Sequence, residues 1–260
     1  MKISIIGGGN MGSAIAFGLS TGTLVAGNHI TVIDPNSRNV EAIEAYGTGI
    51  RAVSDDYSSA YEADIVILAV KPWLIQPVLE KHGNHFNFDK QLIISIAAGI
   101  TLDQLLSYTD ARAKVFRLIP NTAIAIKQSM TFIASKNALP EDDEYVLSLF
   151  SELGKALIIQ ESQFGAVTSL SSCGIAYAFR YIRAAMEGGI EMGIYPHQSQ
   201  EIVLQTLRGA IELLETNGSH PEAEIDKVTT PGGITIKGLN EMEHAGFTSA
   251  VIRGLKASNK

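Results

Sequence analysis

The sequence predicts an α/β domain with a Rossmann-type, doubly wound, mainly parallel sheet, followed by an all-α domain. Three observations indicate this: a strand, a glycine turn and a helix open the chain, apolar strand runs then alternate with helical segments, and strand signals stop near residue 160. At 260 residues the chain is long enough for two domains. We therefore predict a first domain over residues 1–160 and a helical second domain over residues 161–260.

The first element is the segment MKISIIGGGNMGSAIAFGL, in which Gly7, Gly9 and Gly12 have the spacing G-x-G-x-x-G. The β-branched run before the glycines is typical of a buried strand, and from Asn10 and Met11 onward apolar residues recur at helical spacing. In this context the motif predicts dinucleotide binding, with Gly7, Gly9, Asn10, Met11 and Gly12 as cofactor contacts. The first glycine allows a tight turn, the second lets a pyrophosphate approach the backbone, and the third lets helix and strand pack closely. The alternative is an ordinary glycine-rich turn.

Seven further strands follow, predicted at HITVID, GIRAV, DIVILAV, QLIISIA, KVFRLI, MTFIAS and KALIIQ. Between several of them the pattern predicts helices over residues 38–46, 72–81, 102–108 and 140–153. Thr101 and Gln104 have the spacing of a capping box at the third of these helices. The continuous apolar runs suit strands that are covered on both faces, as in a parallel sheet.

Residues 161–260 are predicted to be helical. The segment HQSQEIVLQTLRGAIELLET is amphipathic, and a loop, NGSHPEAEIDKVTTPGG, precedes two more short helices. A helix predicted over residues 171–192 is apolar nearly all round, so it must be buried, and a domain of about 100 residues can hardly bury it alone. We therefore expect a homodimer that forms through this second, dimerisation domain.

The composition limits the classes of binding partner and the cellular compartment that we expect. The formal net charge of −7 argues against nonspecific binding to nucleic acid or to an anionic membrane. No apolar run approaches the roughly 20 residues that span a bilayer, and the opening strand leaves no room for a signal peptide. The single cysteine, Cys173, excludes an internal disulfide, so we expect a reducing cytoplasm. For His82 and His85 a solvated loop is favoured over a metal site, and no metal is predicted.

The end of the second strand carries conflicting signals about the cofactor. Asp34 lies 22 residues after Gly12, where a carboxylate hydrogen-bonds the adenosine ribose and repels a 2′-phosphate. Asn36, Ser37 and Arg38 follow directly, and a nearby Arg accommodates that phosphate. We favour NADPH, with NADH as the alternative. A plain turn with a solvated Arg38 is the third interpretation.

Ligands of doubly wound sheets bind beyond the carboxyl ends of the strands, which supplies further candidate cofactor contacts. These are Ala69, Val70, Lys71, Pro72, Ala97, Ala98, Gly99 and Asn121. Lys71 is favoured as a cofactor contact over an exposed loop cation. Asn121 offers an amide donor and acceptor where the nicotinamide is expected, although Asn after Pro is also a common turn residue.

The segment TTPGGIT is a candidate anion site. Thr229, Thr230 and Thr235 supply hydroxyls, and Gly232 and Gly233 keep backbone N–H groups accessible before a helix. This arrangement suits a carboxylate without a cationic side chain. The alternative is a plain helix-starting loop.

Six segments in the same order resemble the pyrroline-5-carboxylate reductase family: IIGGGNMGSAI, ILAVKP, ISIAAGITLDQL, RLIPNTA, SSCGIAYAF and DKVTTPGGITIKGL. They extend over nearly the whole chain. The resemblance implies hydride transfer from NAD(P)H to C5 of the cyclic imine 1-pyrroline-5-carboxylate, giving L-proline, and dimers that assemble further. It also implies that the TTPGGIT residues bind substrate, with Thr235 beside it. Asn121 is a further candidate contact for the substrate as well as for the cofactor.

Two departures from the family pattern concern the substrate. Ala123 stands where the family usually has Pro, and Cys173 and Ile175 replace a small residue and a proline. These changes leave the dinucleotide assignment untouched but bear on substrate fit.

A protonated imine accepts hydride readily, so the implied enzyme mainly positions substrate and excludes water. Thr235 is the candidate catalytic residue, to position the imine nitrogen or relay a proton. A β-hydroxyacid dehydrogenase would use a second-domain lysine, but no Lys occurs between Lys155 and Lys227. An F420-dependent NADP reductase shares the glycine turn but not the long helical domain. A reductase of a related cyclic imine, or a non-catalytic NAD(P)-binding sensor, stays open because fold alone does not prove function.

Overall fold

A computed structural model describes residues 1–259 of the chain. Internal contacts divide it into two units, Met1–Ser172 and a unit that begins at Cys173. The first unit contains the strands, and the regular elements described in the second unit are all helices. The domain boundary after residue 160 stays a prediction.

The first unit is built on one sheet of eight strands. They are β1 (Ile3–Ile6), β2 (Ile30–Ile33), β3 (Arg51–Val53), β4 (Ile65–Leu68), β5 (Leu92–Ser95), β6 (Lys114–Ile119), β7 (Ser129–Lys136) and β8 (Gly154–Ile158). Their order is β3-β2-β1-β4-β5-β6-β7-β8, and Ile5 on β1 is paired with Val32 and Ile67 on its two neighbours. Only β6 and β7 pair antiparallel. The predicted doubly wound, mainly parallel sheet is therefore confirmed.

Helices connect the strands of the first unit. They are α1 (Asn10–Ser20), α2 (Ser37–Glu44), α3 (Ser58–Tyr61), α4 (Pro72–His82), α5 (Leu102–Ser107), α6 (Pro140–Ser151) and α7 (Phe164–Val167). The capping box predicted at α5 is present: the Gln104 amide N donates to Thr101 Oγ1 at 3.1 Å, and the Thr101 amide N donates to Gln104 Oε1 at 2.9 Å. Four of these helices match the sequence predictions to within two residues at either end.

Two apolar layers cover the two faces of the sheet. In one layer Ile5 packs with Ile15 and Leu19 of α1, and in the other Val66 packs with Leu79 of α4. All five side chains are buried, and burial of one such side chain contributes about 1.5–3 kcal/mol. Burial on both faces explains why the strand sequences are continuously apolar rather than alternating.

A carboxylate near the end of the first unit joins three of its elements. Glu161 Oε1 accepts hydrogen bonds from the Leu102 amide N at 2.8 Å and from Arg117 Nη1 at 2.9 Å. The Arg117 guanidinium carbon lies 4.4 Å from the centre of the Phe164 ring, and the Arg117 side chain is 12% exposed. Glu161 therefore ties α5 and β6 to the segment after β8.

The second unit contains α8 (Gly174–Glu191), α9 (Pro196–Asn217), α10 (Pro221–Lys227), α11 (Ile234–His244) and α12 (Phe247–Ser258). The loop predicted between α9 and α11 is wrong in part, because it contains α10. Pro221 occupies the first turn of α10, and the His220 side chain accepts a hydrogen bond from the Glu222 amide N. Pro at this position and an N-terminal cap are start signals that the glycine-rich surroundings obscured.

The helix predicted over residues 171–192 begins later than expected. A π-helical segment, Thr168–Cys173, precedes α8. Large apolar side chains of α8 are exposed in the single chain, among them Phe179 at 64%. This exposure is what we expect of a helix that a second chain covers. Among the described residues, no helix combines the length and the hydropathy that crossing a bilayer requires.

Candidate functional site

A cleft of about 870 Å³ opens in the first unit at the carboxyl ends of β1, β2, β4 and β5. This volume is within the usual range of small-molecule and cofactor sites. Eleven of the predicted cofactor residues line the cleft: Gly7, Gly9, Asn10, Met11, Asp34, Ala69, Val70, Lys71, Pro72, Ala97 and Ala98. The structure thus brings together segments that are far apart in the sequence.

The three motif glycines have three different surroundings. Gly7 has φ +109°, and a Cβ on it would lie 2.6 Å from the Ala69 carbonyl oxygen. A Cβ on Gly12 would lie 1.9 Å from the Gly7 carbonyl oxygen, so only glycine lets α1 approach the turn this closely. A Cβ on Gly9 would have no atom within 4 Å, and Gly9 lines the cleft. Space for a ligand therefore lies directly over Gly9, the residue that begins α1 without a side-chain cap.

Asp34 is buried, and its carboxylate is bonded to the protein itself. Oδ2 accepts hydrogen bonds from the Gly8 amide N at 2.6 Å and from Asn39 Nδ2 at 3.2 Å. Oδ1 accepts one from the Asn36 amide N at 2.8 Å. Asp34 thus connects the glycine turn, the end of β2 and helix α2. Of the roughly four acceptor positions of its carboxylate, three accept these hydrogen bonds.

Pro35 lines the cleft, but the three residues that follow it do not. Asn36, Ser37 and Arg38 are exposed, and Asn36 Oδ1 caps α2 by accepting the Arg38 amide N at 3.1 Å. Gly12 lies beneath the turn, and Gly99, with φ +83°, lies in the loop between β5 and α5. Cofactor contact by these residues stays a prediction.

Asn121 follows β6 but is turned into the protein. It is 7% exposed, its Oδ1 accepts the Ala123 amide N at 3.0 Å, and its Nδ2 donates to Ser171 Oγ at 3.1 Å. Thr122, in the next position, lines the cleft instead. Contact of Asn121 with cofactor or substrate stays a prediction.

Sequence reasoning missed seven residues that line the cleft: Ala14, Pro35, Leu74, Ile96, Thr122, Ile124 and Ala125. Three of them, Pro35, Ile96 and Thr122, lie next to a predicted residue, and Ala14 lies one helical turn after Asn10 and Met11. The available signal was helical spacing on α1, which places residues three and four apart on one face.

The TTPGGIT residues lie in the second unit. Thr229 Oγ1 donates to the Ile225 carbonyl oxygen at 2.7 Å, which closes the end of α10. Gly232 has φ +72°, and Gly233 begins α11 with no side-chain cap. Thr235, in the first turn of α11, is exposed. The N–H groups at the start of α11 are therefore not capped by a side chain, as an anion site requires.

The two histidines lie at and just after the end of α4. Among residues 1–259, no three His, Cys, Asp or Glu side chains are grouped as metal ligands. The expected solvated loop is wrong for His82, which ends α4 and is buried. Its Nδ1 lies 2.8 Å from the Tyr61 hydroxyl and its ring stacks on Tyr57 at 3.7 Å. Burial, followed by the nearby Lys81 charge, lowers the pKa of His82 below its ordinary 6.5.

The sheet, the glycine turn and the helical unit define a class of protein: a two-unit oxidoreductase with a dinucleotide-binding fold. A family model described as pyrroline-5-carboxylate reductase dimerisation matches residues 161–260. A second, described as NADP oxidoreductase coenzyme F420-dependent, matches residues 2–99.

Full-length relatives identify the family. Pyrroline-5-carboxylate reductase of Methanosarcina acetivorans is 37% identical, over 100% of this chain and 97% of that protein. Pyrroline-5-carboxylate reductase 1 of Dictyostelium discoideum is 35% identical over 99% of this chain, which spans 48% of that longer protein. The chain belongs to the pyrroline-5-carboxylate reductase family, as the sequence predicts.

Solved structures agree with this assignment. The pyrroline carboxylate reductase of Plasmodium falciparum with NADP bound has a TM-score of 0.89 and 27% identity, covering 99% of this chain and 95% of that one. The Mycobacterium tuberculosis 3-hydroxyisobutyrate dehydrogenase, at 13% identity and a TM-score of 0.55, covers 75% of this chain and 66% of that one and shares the fold alone. The β-hydroxyacid dehydrogenase alternative therefore gains no support.

Proposed function

We propose that this chain reduces 1-pyrroline-5-carboxylate to L-proline, with NADPH as the hydride donor. One observation carries the proposal. The glycine turn opens into a cleft at the carboxyl ends of the strands, in a chain that matches pyrroline-5-carboxylate reductases along its whole length.

The cleft fits a dinucleotide. The open space over Gly9 lets a pyrophosphate meet the N–H groups at the start of α1, where the helix dipole favours an anion. Lys71 lines the same cleft and adds a positive charge. When bound, the nicotinamide supplies the hydride. Val70, Ile96 and Ala97 give that cleft an apolar wall, which excludes water from the reacting carbon.

NADPH is favoured over NADH for two reasons. The Asp34 carboxylate already accepts three hydrogen bonds from the protein, so it is less available to the ribose. Ser37 and Arg38 are exposed beside it, and an arginine pairs well with a phosphate. The NADP-bound relative is consistent with this preference.

On the substrate side, we assign the start of α11 to the carboxylate of the imine. The Gly233 amide N already donates to the Thr230 carbonyl oxygen at 2.9 Å, so the available donors are the N–H groups in the first turn of α11, to which Thr230 and Thr235 add hydroxyls. Thr235 is proposed to orient the imine nitrogen and to hold its proton. The hydroxyl needs only to position the ring, because a protonated imine is already a good hydride acceptor.

The test is the loss of reduced-nicotinamide absorbance with pyrroline-5-carboxylate, measured in parallel with NADPH and NADH. A six-membered cyclic imine is assayed beside it to separate the two ring sizes. Rapid oxidation with the five-membered imine is the expected result. Nucleotide binding without turnover of either imine would contradict the proposal and favour the sensor interpretation.

Thr235→Val tests the assigned role, since valine keeps the shape and removes the hydroxyl. We expect kcat/KM for the imine to fall about tenfold or more, the effect of losing one hydrogen bond to a charged group, while the Kd for NADP⁺ is unchanged. The matched control is Thr206→Val, because the Thr206 hydroxyl only donates to the Ile202 carbonyl oxygen of its own helix. Equal effects of the two variants would refute the role of Thr235.

We also propose that the chain is a homodimer through its helical unit, in a reducing cytoplasm that suits its single cysteine. Light scattering after size exclusion measures the mass: twice 27.9 kDa supports the dimer, and a larger multiple indicates further assembly.

A further inference from the structure

Three segments of the chain share one carboxylate at the end of β2. The Asp34 oxygens accept hydrogen bonds from the glycine turn (Gly8 amide N, 2.6 Å), from the chain just after β2 (Asn36 amide N, 2.8 Å) and from helix α2 (Asn39 Nδ2, 3.2 Å). Asn39 is the only side chain among these donors, and it is half-buried. The Asp34 side chain is buried as well.

We propose that Asn39 is a specificity-determining residue for the cofactor. Its amide occupies the acceptor position on Asp34 Oδ2 that a ribose hydroxyl of NADH would otherwise take. The inference rests on the proposed function only in that a nicotinamide dinucleotide binds in this cleft.

The argument follows from counting acceptor positions. A carboxylate has about four of them, two on each oxygen. Gly8 and Asn39 fill both positions on Oδ2, and Asn36 fills one on Oδ1. One position is left, so Asp34 cannot accept both adenosine ribose hydroxyls with its two oxygens, the arrangement by which an acidic residue at this place selects NADH.

The same bonds reduce the penalty for a 2′-phosphate. Three donors concentrate positive partial charge on the carboxylate and hold it toward the glycine turn. Arg38 precedes Asn39 on α2 and is exposed, so its guanidinium is available to the phosphate while Asn39 holds the carboxylate. The two neighbouring residues therefore act together: Asn39 restrains the Asp34 carboxylate, and Arg38 supplies the positive charge for the phosphate.

Calorimetric titration of the unmodified protein and of Asn39→Leu with NADP⁺ and with NAD⁺ tests the inference without any imine. Leucine keeps the size of the side chain and removes the donor. We expect the unmodified protein to bind NADP⁺ more tightly, and Asn39→Leu to shift the ratio of the two Kd values about tenfold toward NAD⁺, the effect of one hydrogen bond to a charged group. Ala42→Leu, at an exposed position of the same helix, is the control and leaves the ratio unchanged.

Three outcomes overturn the inference: a ratio that moves less than twofold, an equal weakening of both nucleotides, and tighter binding of NAD⁺ by the unmodified protein. Thermal unfolding of each variant shows whether it is folded, and Asn39→Ala replaces the leucine variant if that one is not. A shifted ratio in a protein that reduces no pyrroline-5-carboxylate supports the inference while it refutes the proposed reaction.

Discussion

Two alanine substitutions in the glycine turn separate what the turn does for folding from what it does for binding. At Gly12 a Cβ would lie 1.9 Å from the Gly7 carbonyl oxygen and 3.1 Å from the Ala69 Cβ, so the backbone must move. Such overpacking costs about 1–3 kcal/mol, which lowers Tm by about 2–4 °C per kcal/mol in a protein of this size. At Gly9 a Cβ meets no atom within 4 Å, so Gly9→Ala leaves Tm nearly unchanged.

Binding distinguishes the two variants further. The Cβ of Gly9→Ala enters the space over the start of α1, and we expect the Kd for NADP⁺ to rise about tenfold or more because the pyrophosphate is pushed off the N–H groups. Thermal unfolding and calorimetric titration of both variants measure the two effects. Gly209→Ala, a helical glycine with open space around it, is the control for the substitution itself. Unchanged nucleotide affinity in Gly9→Ala would refute the placement of the pyrophosphate.

Two further predictions concern stability in the first unit. Glu161→Ala leaves the largely buried Arg117 without its carboxylate, and we expect the urea midpoint to report a loss of about 2–3 kcal/mol, against less than about 1 kcal/mol for Glu62→Ala at an exposed ion pair. Equal losses would refute the role of the buried pair. The lowered pKa of His82 means that the unfolded chain binds its proton first, so the free energy of unfolding falls as pH drops below 6.5. His82→Gln flattens that dependence between pH 7 and 5, and an unchanged slope would show that the bond to Tyr61 holds whichever form is present.

The fold was largely predictable because its cause is local and repeated. Strands β1, β4 and β5 at the centre of the sheet are short runs in which every residue is buried, and a parallel sheet covered on both faces requires such runs. The glycine spacing was equally informative, because a side chain at Gly7 or Gly12 would collide with backbone atoms. Helix α10 was missed because its seven residues are too few for a periodic pattern.

The partners of polar side chains were not predictable in the same way. The sequence places Asp34 and Asn121 at strand ends, where either would face a ligand. In the structure the Asp34 carboxylate accepts a hydrogen bond from the Gly8 amide N, and the Asn121 amide donates one to Ser171 Oγ. Both partners come from segments that are distant in the sequence. A side chain of either kind has several compatible partners, and the choice depends on tertiary approach, for which a single sequence carries no periodic signal.

The bonds of Asn121 bear on the departures from the family pattern. Ser171 Oγ accepts from Asn121 Nδ2 and donates to the Met130 carbonyl oxygen at 3.3 Å, and Ser172 Oγ donates to the Pro120 carbonyl oxygen at 3.3 Å. These serines fix the π-helical segment Thr168–Cys173 to the ends of β6 and β7. A π-helical turn is often found at functional sites, and this one is held by three hydrogen bonds just before Cys173. The departure at Cys173 thus directly follows two anchored serines, and it changes the residue that precedes α8 without removing any of these three hydrogen bonds.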